Sequence, residues 1–110
     1  MRINLIKKAS VEEFVLKYPN SRSGFANWIS KLKYADWTKP EDIKNTFNSA
    51  DLLGAGSNRV VFNLCGNNYR VIAKYSFGET RVHLFLKWVG SHAEYDKLCN
   101  KNKQFIIDEY

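Results

Sequence analysis

The sequence is poor in the residues that mark several common classes of protein. Its 110 residues include only two cysteines, two prolines and two histidines. Cys65 and Cys99 are too far apart in the chain to form a CxxC pair, so we expect free, buried thiols rather than a disulfide framework or a metal site. No apolar run approaches the ~20 residues that a membrane helix needs. The stretch MRINLIKKAS lacks the cleavage pattern of a signal peptide, so we expect a cytoplasmic protein with one domain, residues 1–110.

Acidic residues are also scarce. The chain carries 17 lysines and arginines against 11 acids, a formal net charge of +6. The imbalance is greatest between residues 59 and 89, where Glu79 is the single acid among five cations. This charge favours an anionic partner, which can be a nucleic acid, an acidic protein or an anionic membrane.

The first half of the chain has the apolar spacing of helices. Phe25, Trp28, Ile29 and Leu32 fall at i, i+3, i+4 and i+7, so they form one helix face and Trp28 belongs to the core. The other elements predicted here are a strand at 3–6, a helix at 11–18 with a capping box at Ser10 and Glu13 and a stop at Pro19, a short helix near 38–43, and a loop at 48–58.

In the second half of the chain, apolar residues tend to recur at every second position. Strands are predicted at 59–65, 69–77 and 80–89, separated by turn signals that are typical of hairpins. A helix follows at residues 91–98, and the tail 103–110 is predicted to be a last short strand. The apolar face of this meander is expected to pack on the helices of the first half.

The lengths of the two hairpin turns fix which strand residues face each other. We take residues 66–67 as the first turn and 78–79 as the second, each a loop of two residues. The opposite pairs expected from these turns are Arg59 with Lys74, Asn63 with Arg70, Arg70 with Lys87, and Lys74 with His83.

This register separates the meander into an apolar and a cationic face, because successive side chains of a strand point to opposite sides. The core face is expected to carry Val60, Phe62, Leu64, Tyr69, Val71, Ala73, Tyr75, Phe77, Val82, Leu84, Leu86 and Trp88. The other face is expected to carry Arg59, Asn63, Arg70, Lys74, Arg81, His83 and Lys87, with Val61, Ile72 and Phe85 among them. Like charges across strands repel, so the cluster favours a bound polyanion over a merely solvated face.

His92 opens the last predicted helix. SHAE at 91–94 is a capping-box pattern, with Ser91 as N-cap and Glu94 three residues on. The positive end of the helix dipole disfavours an imidazolium ion there, and a neutral imidazole is what a general base requires. Tyr95 and Asp96 share this side of the helix. The alternative is an ordinary surface histidine and a core-packing tyrosine.

Three linked motifs resemble the HigB toxin family. They are RVVFN at 59–63, GNNYR at 66–70 and SHAEYD at 91–96, which match the family patterns R-x-V-F-N, G-N-x-Y-R and T-H-x-E-Y-D in order and spacing. One departure is Ser91, where the family usually has threonine, and both residues can cap a helix. The resemblance implies an α+β fold of the RelE-like toxin type, in which N-terminal helices pack on a curved, mostly antiparallel sheet.

The resemblance also implies an activity and partners. The activity is that of an mRNA interferase, an endoribonuclease that cleaves mRNA during translation on the ribosome. The partner is a HigA-type antitoxin with a helix-turn-helix domain, and operator DNA is bound only through the toxin–antitoxin complex. No metal, cofactor or membrane is expected to take part. The alternative is a non-catalytic RNA-binding module, or an inactive toxin homologue, that uses the same basic face.

Metal-free RNA cleavage requires a base for the 2′-hydroxyl, cations for the phosphorane and an acid for the leaving oxygen. Arg70 and Arg59 are the candidates for the scissile phosphate. His92 is the candidate acid or base, and Tyr95 would orient the nucleotide or assist proton transfer. Residues expected to contact the rest of the RNA are Lys74, Lys87, Arg81, Asn63 and His83. The alternative for Lys74 and Lys87 is a role as the base, with a pKa lowered by desolvation among other cations.

Overall fold

A computed structural model of the protein describes residues 1–66 and 68–110. The strands are β1 (Arg2–Ile6), β2 (Asp51–Leu53), β3 (Arg59–Leu64), β4 (Tyr69–Phe77) and β5 (Arg81–Ser91). The α-helices are α1 (Lys8–Lys17), α2 (Arg22–Tyr34), α3 (Asp42–Thr46) and α4 (His92–Asn100), and short 3₁₀ turns lie at Pro19–Ser21 and Lys103–Phe105. Each helix in the described part of the chain is too short or too polar to span a bilayer.

The strands form one open, mixed sheet in the order β1-β5-β4-β3-β2. Only β1 pairs in parallel, with β5, and the other neighbours in this order are antiparallel. The α+β prediction is therefore confirmed, as are the four strands expected in β1, β3, β4 and β5. The strand β2 lies inside the stretch predicted to be a loop. Its three residues are too few to show the alternation of apolar and polar side chains by which a strand is recognised in a sequence.

Three predicted elements differ from the structure, two in where they begin and one in its type. The first helix begins at Lys8, after Lys7 in the left-handed conformation, so Ser10 lies inside the helix and caps nothing. The short third helix begins two residues after Pro40, at Asp42, whose carboxylate accepts bonds from the backbone of Thr38 and Lys39. The tail is not a strand: after the 3₁₀ turn at Lys103–Phe105 it crosses the sheet without regular structure.

The helices α1, α2 and α3 cover one face of the sheet, which we call the inner face. Their buried side chains meet the apolar residues of β3, β4 and β5, and Trp28 and Trp37 are among the largest fully buried groups. The core position of Trp28 is therefore confirmed. So are the core positions predicted for the sheet, with the exception of Trp88.

The first hairpin has the predicted register and the second does not. Arg59 lies opposite Lys74 and Asn63 opposite Arg70, as expected. Gly66 supplies the positive φ of +61° in this turn, and Asn67 lies outside the described residues. In the second hairpin the turn is shifted by one residue, since the Gly78 nitrogen donates to the Arg81 carbonyl at 2.9 Å. Arg70 therefore faces Gly90, not Lys87, and Lys74 faces Phe85, not His83.

A β-bulge in β5 explains why Trp88 is not on the inner face. The partner of Ile72 is Trp88 and the partner of Ala73 is Leu86, so Lys87 is an extra residue in the ladder. The bulge turns Trp88 to the opposite side of the sheet, which we call the outer face. There Trp88 joins a second apolar cluster, made of Val61, Ile72 and Leu98 with partly buried Leu53, Tyr95 and Ile107. Helix α4 and the tail thus cover part of the outer face.

Candidate functional site

Helix α4 begins without a loop at the end of β5, and a complete capping box fixes its first turn. The Ser91 hydroxyl accepts from the Glu94 nitrogen at 3.2 Å, and the Glu94 carboxylate accepts from the Ser91 nitrogen at 2.9 Å. The predicted capping box is confirmed. The His92 nitrogen donates to the Asn68 carbonyl at 3.1 Å, which ties the helix start to the turn between β3 and β4. His92 is therefore held at a defined corner of the sheet.

The imidazole of His92 pairs with a carboxylate of its own helix. Its Nδ1 lies 3.0 Å from an Asp96 carboxylate oxygen, four residues further along. The two side chains are 49% and 60% exposed, so the pair is open to solvent and to a ligand. The arrangement offers a proton-transfer group at the surface next to the basic outer face.

Arg70 lies at the same corner, near the start of β4. Its Nη1 donates to the Asn63 side-chain oxygen on the neighbouring strand β3. Its guanidinium carbon lies 5.7 Å from the centre of the Tyr95 ring, within the range of a cation–π contact. Tyr95 is one helical turn after His92, so the two residues share one side of α4.

The ring of Tyr95 makes the aromatic contacts at this corner, and its hydroxyl is partly buried. Burial raises the pKa of the hydroxyl well above its usual value, and the neighbouring Cys99 thiol and the Asp51 carboxylate act in the same direction. Nearby Arg70 lowers the pKa, but by less. The hydroxyl therefore stays protonated near neutral pH. The ring packs on Trp88, with 6.1 Å between ring centres, and so presents a rigid aromatic surface to Arg70.

Gly90 is a residue of the site that the sequence reasoning missed. It pairs with Arg70 across the ladder and lies beside the Trp88 indole. A Cβ added at Gly90 would be 2.4 Å from the Trp88 ring atom Cζ2, closer than real contacts allow. A glycine inside a strand pattern is a signal of close approach by another group, and that signal could have identified it.

Arg59 belongs, like Arg70, to one of the three family motifs, but its surroundings in the structure are different. It is only 6% exposed, and its Nη1 donates to the backbone carbonyls of Gln104 at 3.2 Å and Ile107 at 2.7 Å. Burial lowers the pKa of its guanidinium. The segment that covers it, residues 103–110, is called the C-terminal strap below. One of the two arginines expected to contact phosphate is therefore buried under this strap.

Lys87 is also engaged by the C-terminal strap. Its Nζ lies 3.1 Å from the Asp108 carboxylate, and its carbonyl, displaced by the bulge, accepts from the Glu109 nitrogen at 2.9 Å. The Ile107 side chain joins the outer apolar cluster. The strap is thus held by charge, backbone hydrogen bonds and apolar contact along the same part of the sheet.

The remaining expected contacts spread along the outer face. Lys74 is exposed in the middle of β4, opposite Arg59 and Phe85. Arg81 and His83 lie near the other end of β5, where they pair with β1, and the His83 Nδ1 is 3.3 Å from the Asn4 amide nitrogen. The structure therefore brings Arg70, Asn63, Tyr95 and His92 together and leaves Arg81 and His83 at the far end of the sheet.

Metal-ligating groups do not cluster in the part of the chain that the structure describes. No group of three or more His, Cys, Asp or Glu side chains there could hold a metal ion. Cys65 and Cys99 are free thiols, and both are partly rather than fully buried.

The chain is similar to known proteins along most of its length. Residues 21–98 match the family model of the HigB toxin, a RelE-like toxic component of a toxin-antitoxin system. The mRNA interferase HigB of Escherichia coli O6:H1 is 35% identical over 96 residues, which cover 87% of this chain and 91% of that protein. The mRNA interferase toxin HigB of E. coli K12 and the mRNA interferase HigB of Shigella flexneri are each 28% identical over 94 residues, 86% of this chain and 88% of theirs. The chain therefore belongs to the HigB family of RelE-like toxins.

Proposed function

We propose that this protein is an endoribonuclease toxin that cleaves mRNA and so inhibits translation. The observation that carries the proposal is the corner where Arg70 lies over the Tyr95 ring and His92 begins the same helix. An anion-binding group, an aromatic platform and a proton-transfer group are thus combined at the edge of a cationic face. The relatives named mRNA interferases support the same activity.

The cleavage would use the 2′-hydroxyl of the RNA as nucleophile. Its oxygen attacks the adjacent phosphorus, the bond to the 5′-oxygen of the next nucleotide breaks, and the products end in a 2′,3′-cyclic phosphate and a 5′-hydroxyl. We assign Arg70 to the negative charge that develops on the phosphorane. His92 moves one of the two protons, and the Tyr95 ring holds Arg70 and stacks against a base.

The RNA would extend from this corner along the outer face. Asn63 fixes the Arg70 fork, and Lys74 is placed for a flanking phosphate. Arg81 and His83 would meet only a longer RNA that continues toward β1. Arg59 and Lys87 are engaged by the C-terminal strap, so we assign them to its placement and not to the scissile phosphate.

The proposed setting is the cytoplasm, on mRNA that is being translated by the ribosome. A HigA-type antitoxin with a helix-turn-helix domain would neutralise the toxin, and the complex, not the toxin alone, would bind operator DNA. The family's role as the toxic component of a toxin-antitoxin system supports an antitoxin partner.

The test is expression of the protein in bacteria with the mRNA ends mapped by primer extension. The wild type should halt growth and create new ends within translated regions, and His92→Ala and Arg70→Ala should leave growth uninhibited and create far fewer new ends at equal protein levels. If the wild type binds RNA but creates no new ends, the protein is the non-catalytic RNA-binding module instead.

A further inference from the structure

Asp96 has no role in the account so far, yet it contacts the one histidine of the candidate site. Its carboxylate oxygen is 3.0 Å from His92 Nδ1, a hydrogen-bond distance. Both residues lie on α4, four positions apart, so the helix itself holds them on one face. The capping box and the Asn68 carbonyl fix the start of that helix, and so they fix the backbone from which His92 extends.

The pairing decides which imidazole nitrogen carries the proton. An ionised carboxylate only accepts hydrogen bonds, so the nitrogen that faces it must donate. In a neutral imidazole this places the hydrogen on Nδ1 and leaves Nε2 as the acceptor. A histidine side chain in water prefers the opposite tautomer, with the hydrogen on Nε2. The tautomer of His92 therefore depends on Asp96.

We propose that Asp96 is a positioning residue for RNA cleavage. It holds His92 in the Nδ1–H tautomer and presents the unprotonated Nε2 to the 2′-hydroxyl or, after proton uptake, to the leaving oxygen. The carboxylate also compensates the imidazolium that forms when Nε2 takes a proton, as the third member of a hydrolase triad does. The proposal rests on the proposed function, because the tautomer matters only if His92 transfers a proton.

The first test reads the tautomer directly from the nitrogen chemical shifts of His92 in the full-length protein. In the wild type, ¹⁵N NMR near neutral pH should show a protonated Nδ1 and an unprotonated Nε2. Asp96→Ala should shift the signals toward the Nε2–H tautomer. The matched control is Glu79→Gln, which removes an exposed carboxylate from the turn at the far end of the β4–β5 hairpin and should leave the signals unchanged.

The second test asks whether the tautomer serves the reaction. Asp96→Ala should lower kcat for RNA cleavage about tenfold with KM little changed, because the loss falls on the proton-transfer step. Asp96→Glu, which can still reach His92, should recover most of the rate. In a His92→Ala background, Asp96→Ala should have no further effect, whereas a purely structural role would lower the rate in both backgrounds.

The two tests separate failure of the inference from failure of the proposed function. An active toxin whose His92 signals are the same with and without Asp96 overturns the positioning role. So does a double variant that is slower than His92→Ala alone. A protein whose tautomer follows Asp96 but which cuts no RNA overturns the proposed function, and with it the role of the pair in catalysis.

Discussion

Two arginines on the outer face differ in what surrounds their guanidinium groups. Arg59 is buried under the C-terminal strap and is bonded to two backbone carbonyls. Arg70 is bonded to Asn63 and lies over an aromatic ring at the open corner beside α4. At the scale of single residues, the same side chain therefore has a structural task at one position, and at the other we propose that it binds phosphate.

The first prediction concerns Arg59. The change Arg59→Ala leaves two carbonyls without their donor and should lower the free energy of unfolding by roughly 1–3 kcal/mol. Lys74→Ala, which removes an exposed cation directly across the ladder, should change it by less than about 0.5 kcal/mol. Urea denaturation measures both. Full stability of Arg59→Ala with loss of RNA cleavage would instead return Arg59 to the phosphate site.

The second prediction concerns the ring and the hydroxyl of Tyr95. Tyr95→Phe keeps the ring over Arg70 and should retain most of the cleavage activity, whereas Tyr95→Leu loses about 1 kcal/mol of cation–π contact and should slow cleavage roughly fivefold. Single-turnover cleavage of a labelled RNA measures both. A phenylalanine variant as slow as the leucine variant would show that the hydroxyl takes part in the chemistry.

The pKa of Tyr95 adds a prediction for stability at high pH. Because folding raises this pKa, the folded state binds the tyrosine proton more tightly than the unfolded state does. The stabilising effect is complete below the unfolded pKa of about 10 and is lost as the pH rises through the folded pKa. Denaturation midpoints measured above about pH 10 should therefore fall less steeply with pH in Tyr95→Phe than in the wild type.

At the scale of elements, the junction between β5 and α4 builds the corner. A strand that becomes a helix at Ser91 places the cap, His92 and Tyr95 within one and a half turns of the sheet edge. The cap and the helix start were predictable from the sequence, because the hydrogen bonds of a capping box join neighbours in the chain. So were the strands β1, β3, β4 and β5 and the first hairpin, whose alternation and turn residues are local signals.

Other elements were not predictable, because the contacts that determine them are distant in sequence. The bulge at Lys87 changes the face of Trp88, and nothing in the alternation of β5 marks the extra residue. The burial of Arg59 requires a strap 45 residues further along the chain, whose own pattern resembles a strand. The β5 partner of Arg70 was misassigned for a simpler reason, since a shift of one residue in the second turn, together with the bulge, changes the pairs along β5.

The prediction for this junction concerns Ser91. Ser91→Ala removes the acceptor of the Glu94 nitrogen and should lower the free energy of unfolding by about 1 kcal/mol. Ser91→Thr keeps a hydroxyl and should stay close to the wild type. Amide hydrogen exchange in the first turn of α4 should be faster in the alanine variant alone. Unchanged exchange there would mean that the bond to Asn68 suffices to hold the helix start.

At the scale of the whole molecule, the two faces of the sheet have different surroundings. The inner face and the helices α1, α2 and α3 form the main core, while the outer face carries a smaller apolar cluster under α4 and the strap, with cations around it. The net charge of +6 gives the surface a general attraction for RNA, which salt would screen. We propose that the chemistry, in contrast, depends on one corner, so loss of a single group there should matter more than loss of any other charge.

The most direct test of that claim compares two arginines in one cleavage assay. Purified wild type, Arg70→Ala and Arg22→Ala are each added to translating ribosomes that carry an end-labelled mRNA, and Arg22 is an exposed arginine of α2 in the helical layer. Wild type and Arg22→Ala should give the same fragments, with 2′,3′-cyclic phosphate ends, and Arg70→Ala should cut on the order of 10²–10³ times more slowly. Equal cleavage by Arg70→Ala and wild type would contradict the account, because the reaction would then take place elsewhere on the protein.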